Sequence, residues 1–218
     1  MSSPAFGRVL DHVGAAVVTG DLPAGARTSV DALVEETLAS RSIVREATRV
    51  LVALGLLTAG PRVGLVVQPA TRWNLLDPHV VRWRLAGPDR AAQLRELREL
   101  RTAVEPVAAR AAARRADSAT RTRLRDLATA LDTVLDTAPG DFSRLDAALH
   151  SELLHAAGNP MLVTLGAVVA LAVRDRAEVP PRRLDVRLHA DLARSVADGD
   201  DDLAGGLVAR IVRRTSGE

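Results

Sequence analysis

The sequence predicts a mainly α-helical protein with one small β-hairpin. Three observations carry this. Apolar residues recur at helical spacing through most of the chain. One stretch, Leu56 to Val67, instead alternates around Gly60-Pro-Arg-Val-Gly64. Beyond residue 90, Pro139-Gly140, Gly158-Asn-Pro160, Pro180-Pro181 and Gly199 divide Ala- and Leu-rich segments into helix-sized lengths.

The elements follow in order. Phe6 to Val18 places Val9, Leu10, Val13, Ala16 and Val17 on one helical face, and Gly20 to Gly25 makes a turn. Ser29 can cap a second helix carrying Leu33, Val34 and Leu38. Ser40 can cap a third, from Arg41 to about Leu54, with a buried stripe of Val44, Ala47, Val50, Leu51 and Leu54. Gly55 ends it, and Leu56 to Val67 reads as two strands and a turn. Three helices followed by a hairpin is the plan of a winged helix-turn-helix, expected over residues 1–70. Residues 71–90 hold both Trp residues and read as a packed linker, with one short helix after Asp77-Pro78. Residues 91–218 predict an all-α helical bundle, with helices near 91–115, 118–135, 140–157, 160–176, 182–198 and 200–214.

Composition excludes more than it selects. The 218 residues are 47% hydrophobic and 26% charged, as in an ordinary globular protein. The sequence pI of about 10.6 is no nucleic-acid signature. Net charge is only +2, and with no Lys, Cys or Tyr a slight Arg excess drags the pI upward. The lack of Cys excludes disulfides, thiolate metal sites and a Cys nucleophile. No signal peptide is evident, and apolar runs such as Met161–Val173 are too short to span a bilayer. The expectation is a cytoplasmic protein with no membrane partner.

On the third helix Arg41, Arg45 and Arg49 recur every four residues and form one ridge, with Ser40 and Ser42 at its start. Such a helix start suits the DNA major groove, where Arg reads guanine and Ser with backbone N–H groups holds phosphate. Arg62, at the hairpin tip, could reach the adjacent backbone or minor groove. The same Arg spacing also describes a solvated helix face. Further along, Asp146 and His150 share one helical face, and His189 on a later helix could complete a set of one carboxylate and two imidazoles. A bare Asp-x-x-x-His is more often an ordinary hydrogen bond.

Leu22-Pro-Ala-Gly25, Ser40-Arg-Ser-Ile-Val-Arg-Glu-Ala47, Leu51–Leu57 and Gly64 resemble the DNA-binding domain of GntR-superfamily regulators. The resemblance implies DNA contact by Arg41 and Arg45, with Gly64 letting the wing approach the minor groove. Where that family has a Glu near the start of the second helix and a Gly before the third, this chain has Val30-Asp31 and Leu38-Ala39. Arg101-Thr-Ala-Val-Glu-Pro-Val-Ala-Ala109, Asp146-x-x-x-His150, Gly158-Asn-Pro160, His189 and Gly199-Asp200 resemble the helical, FCD-type sensor domain of the FadR-like branch. That resemblance implies a divalent ion, zinc or similar, held by Asp146, His150 and His189, with Ile211 standing where a fourth ligand falls. Arg101 is the residue chosen to pair with an effector carboxylate. Asn159 shapes a helix junction and is expected to line the cavity. Arg98 and Arg174 are weaker candidates, His155 reads as structural, and His12 and His79 show no partner pattern. Trp73-Asn-Leu-Leu-Asp-Pro-His-Val-Val-Arg-Trp83 is similar to the interdomain segment of galactonate-responsive regulators of sugar-acid catabolism.

These resemblances imply a homodimeric, non-enzymatic repressor that binds palindromic operator DNA and senses a small acid, an aldonate or related hydroxy acid. Two rivals compete with it: a metal-dependent hydrolase or lyase using Asp146, His150 and His189, and a helical interaction adaptor. The enzyme lacks an evident general base, nucleophile motif or phosphate loop.

Overall fold

The computed structural model describes residues 3–61, 63–175 and 182–214. They form ten α-helices and a three-stranded sheet, in two compact units, residues 1–93 and 94–218.

The first unit begins with α1 (Pro4–Thr19), started by the Ser3 cap with Pro4 at its first position and ended by Gly20. Strand β1 (Arg27–Thr28) leads to α2 (Val30–Thr37) and α3 (Arg41–Ala53), followed by β2 (Leu57–Gly60) and β3 (Gly64–Val67). The Ser29 and Ser40 hydroxyls cap α2 and α3 by accepting from Ala32 N and Ile43 N, as their sequence positions predict. A short turn of 3₁₀ helix (Ala70–Arg72) precedes α4 (Pro78–Ala86), which Asp77 caps through His79 N at 2.8 Å.

The sheet differs from the expected two-stranded hairpin. β3 pairs antiparallel with β2 on one side and with β1 on the other, where Thr28 lies opposite Leu65. This third strand explains Gly64, whose φ is +77°. A β-carbon there would lie 2.8 Å from the Thr28 carbonyl oxygen, so the sheet itself requires glycine. The core joins Val9, Leu10, Val13 and Val17 of α1 to Leu33, Val44, Ala47, Leu51, Leu56 and Leu65, and also to Val80 and Trp83 of α4. Val50 and Ala16, expected in the buried stripes, are only half-buried. Residues 71–90 therefore contribute side chains to this core. Burial of Leu51 and Leu56, which have no exposed surface, contributes roughly 2 kcal/mol each.

The second unit is α-helical: α5 (Arg90–Arg115, whose first turn contains the unit boundary), α6 (Ser118–Thr137), α7 (Phe142–Ala156), α8 (Pro160–Arg174), α9 (Arg183–Asp198) and α10 (Asp201–Arg214). The expected break at Pro180-Pro181 lies outside the described residues. α6 packs against α7 and α9, α7 against α8, and α9 against α10. α5 contributes to both apolar clusters of this unit. Its Ala109, Ala112 and Ala113 pack in a cluster with α6, α7, α9 and α10, while Ala108 and Ala111 pack with α7 and α8. Alanine on both faces lets neighbouring backbones come close on either side. No helix among the described residues is long and apolar enough to cross a membrane.

Candidate functional site

Two constellations emerge, one in each unit. On α3, the residues buried against α1 and α2 (Val44, Ala47, Leu51) leave Ser40, Arg41, Ser42, Arg45 and Arg49 exposed. The Ser40 hydroxyl, besides capping the helix, lies 3.1 Å from that of Ser42. Arg41 forms an ion pair with Asp31 of α2, and both side chains are more than half exposed. Arg45 and Arg49 have no acidic partner among the described residues. The α3 face is thus a cationic ridge with one guanidinium already engaged and two at liberty. Arg62 lies outside the described residues.

The second constellation is buried. Asp146 and His150 stand one turn apart on α7, and His189 projects from α9. All three are at most 2% exposed, and their donor atoms lie within 4.8 Å of one another. Asp146 Oδ1 is 2.8 Å from His189 Nε2 and 3.2 Å from His150 Nε2. The two imidazoles meet edge-on at 5.6 Å between ring centroids. His189 Nδ1 lies 2.7 Å from the Asp185 carbonyl oxygen. A carbonyl only accepts, so Nδ1 carries a proton and Nε2 turns toward Asp146.

His150 is held by charge rather than by an aligned hydrogen bond. Its Nδ1 lies 2.5 Å from Glu105 Oε2 on α5. Glu105 is fully buried, which would raise its pKa, but the charges of His150 and Arg101 overcome this and lower it to about 2. An ionised carboxylate only accepts, so Nδ1–H faces Glu105 and Nε2 faces Asp146. Neither nitrogen of His150 nor Nε2 of His189 makes an aligned hydrogen bond among the described residues, despite the short distances to Glu105 and Asp146. Two imidazole nitrogens and a carboxylate oxygen therefore converge in a buried site that suits a cation. A proton can serve: burial would lower the His150 pKa, but Glu105 and Asp146 raise it to about 8. The donor set also suits a divalent ion such as zinc.

Ile211 is buried in the same apolar cluster as Phe142, Leu188 and Leu192 and offers no donor. The protein can then supply three ligands and leave coordination positions open. Arg101 is buried, but its guanidinium holds both oxygens of Glu105, one turn further along α5. It does not stand ready for a ligand; a carboxylate from outside must compete with one from inside. Asn159 stands at the helix junction, as its sequence position predicts, and is not shown lining a cavity. It is exposed, and its side chain accepts from Met161 N at 3.0 Å to cap α8, so its observed role is local turn chemistry. Arg98 is half-buried, while Arg174 and His155 are exposed. His12 has a partner after all, Glu36 at 2.7 Å, and His79 hydrogen-bonds Arg82. Sequence reasoning missed Glu105, although its spacing of four from Arg101 on one helix was a usable signal.

Comparison with known proteins identifies the family. The bacterial regulatory proteins, gntR family, match residues 7–67, and the FCD domain matches residues 96–214, more than half of the chain. The chain belongs to the FadR-like GntR/FCD transcriptional regulators: a non-enzymatic DNA-binding regulator with a ligand-binding FCD domain. It is 29% identical to the galactonate operon transcriptional repressor of Escherichia coli K12, over 95% of each chain. It is 26% identical to the E. coli HTH-type transcriptional regulator YieP, over 59% of this chain and 56% of that one. Among solved structures, Lar, which controls the agr system of Listeria monocytogenes, superposes with a TM-score of 0.63 at 16% identity, over 99% of this chain and 96% of that one. A Streptococcus agalactiae GntR protein does so with a TM-score of 0.56 at 18% identity, over 98% and 100%. At such identity these structures speak to the fold alone.

Proposed function

We propose that the chain is a cytoplasmic repressor that binds a palindromic operator as a homodimer and releases it when a small hydroxy acid, such as an aldonate, binds the FCD domain. Residues 1–70 carry the DNA reading and residues 91–218 the sensing and dimerisation. The observation that carries this reading is the exposed α3 ridge. Arg45 and Arg49 have no acidic partner among the described residues, beside a helix start bearing Ser40, Arg41 and Ser42. In the major groove such arginines read guanine bidentately, and the serines with the helix start hold phosphate. Gly64 allows the wing turn. One winged helix reads a short half-site, so a dimer is needed for useful specificity.

In the sensing domain Asp146, His150 and His189 would hold a divalent ion, which supplies open coordination positions for a carboxylate and its α-hydroxyl. Arg101 supplies the guanidinium for the ligand's carboxylate. Similarity to the galactonate operon repressor across 95% of both chains supports a sugar acid as the ligand class. An effector moves DNA affinity only by its differential affinity for the two states of the protein.

The test is a mobility-shift titration on the upstream intergenic DNA with wild type and Arg45→Ala, followed by sugar acids. Salt-sensitive, sequence-selective binding that Arg45→Ala abolishes and an aldonate reverses is the expected result. Wild-type binding no tighter than to random DNA would overturn the self-operator reading.

A further inference from the structure

We propose that Glu105 is a positioning residue that couples an anion at Arg101 to the cation site of Asp146, His150 and His189. This rests on the metal reading above. Glu105 is 2% exposed and divides its carboxylate between two partners. One is the Arg101 guanidinium, through Nε and Nη2; the other is His150, at Nδ1.

The imidazole has two ends. Glu105 meets Nδ1, while Nε2 turns toward Asp146 and His189. Glu105 is therefore no substitute for the donor that Ile211 lacks. It is the carboxylate behind a ligating histidine: it fixes the tautomer, orients the ring and makes Nε2 a better donor. A counter-ion that only neutralised Arg101 would have no reason to contact this nitrogen.

The shared carboxylate sets the sign of the coupling. Arg101 draws charge from Glu105 and adds a positive charge close to the cation site, so it weakens cation binding. An external carboxylate that neutralises Arg101 leaves Glu105 to His150 and reduces that repulsion. Anion and cation then bind with positive cooperativity, by the same factor in both directions.

The experiment measures zinc affinity of the full chain by competition with a chromophoric chelator. Wild type, Asp146→Ala, Arg101→Gln, Glu105→Gln and the double variant Arg101→Gln/Glu105→Gln are compared, with far-UV circular dichroism as the folding control. Wild type is expected to bind one zinc ion, and Asp146→Ala to lose it. Arg101→Gln is expected to bind more tightly. The double variant buries no lone charge, and it is expected to bind about ten- to a hundredfold more weakly than Arg101→Gln. Glu105→Gln serves as the direct comparison where it folds. If the double variant matches Arg101→Gln while Asp146→Ala loses zinc, Glu105 is a counter-ion only and the metal site stands. If wild type binds no zinc, the metal reading falls and the coupling falls with it.

Discussion

The indole of Trp83 fills the space that a β-carbon on Gly14 would occupy, with ring atoms from 2.3 Å of that position. The same ring donates its Nε1 hydrogen to Asp11 Oδ1 at 2.9 Å, so α4 is fastened to α1 by packing and by a hydrogen bond. Gly14→Ala is expected to destabilise the first unit by about 1–3 kcal/mol, the usual cost of overpacking. Urea denaturation followed by circular dichroism should show one transition moving to lower urea while the second unit's transition stays.

Leu38 is the reverse case. It holds the left-handed conformation with φ 54° at the end of α2, and its side chain is 90% exposed. A left-handed backbone costs a β-carbon-bearing residue about 1–2 kcal/mol, and almost no burial offsets it here. Leu38→Gly should raise stability by about 1 kcal/mol, less the entropy cost of glycine in the unfolded chain. A lower urea midpoint for the variant would contradict this account.

Asp31 claims Arg41 on the proposed DNA-reading face. An exposed pair contributes at most about 1 kcal/mol to stability, so Asp31→Asn should melt like wild type. Its effect should appear on DNA. A carboxylate that repels phosphate is lost and Arg41 is released, so the slope of log affinity against log salt should steepen by about 1. Gains on random DNA should equal or exceed those on the operator, because phosphate contacts carry no sequence information.

The buried centre gives metal-free protein a pH profile. His150 is raised from 6.5 to about 8, so its contribution is full below pH 6.5 and is lost as pH rises through about 8. Glu105 is lowered from 4.5 to about 2, and Asp146 well below 3.8 despite its burial, by His189 and His150. Their contributions are present above pH 4.5 and are lost on acidification. With chelator present, the second unit's melting temperature should peak between pH 4.5 and 6.5. Zinc must displace the His150 proton, so its affinity should climb with pH up to about 8 and then level.

What was legible in the sequence was local. Ser29, Ser40, Asp77 and Asn159 cap helices where their neighbours are apolar at helical spacing, and glycine or proline marks the ends. The features that escaped are pairings between distant residues. β1 is two residues long and exists only through its register with β3. Trp83 finds its place against Gly14 and Asp11, far back along the chain. Glu105 meets His150 from another helix, while its ion pair with Arg101 turns that residue from a waiting ligand clamp into an occupied one. Asp146 and His150 announced themselves by helical spacing, whereas His189 could only be offered as a third donor until the resemblance singled it out.

Both Trp residues of the chain, Trp73 and Trp83, sit in the first unit's core, with Trp73 Nε1 bonded to the Gln68 carbonyl and Trp83 to Asp11. The second unit has neither Trp nor Tyr, and Phe142 is its single phenyl ring. Indole emission therefore reports on the DNA-binding half alone, and the sensing half is dark. If a small acid binds the FCD domain as proposed, a change in this fluorescence without quenching of free tryptophan would report its effect on the other unit, with no label to attach.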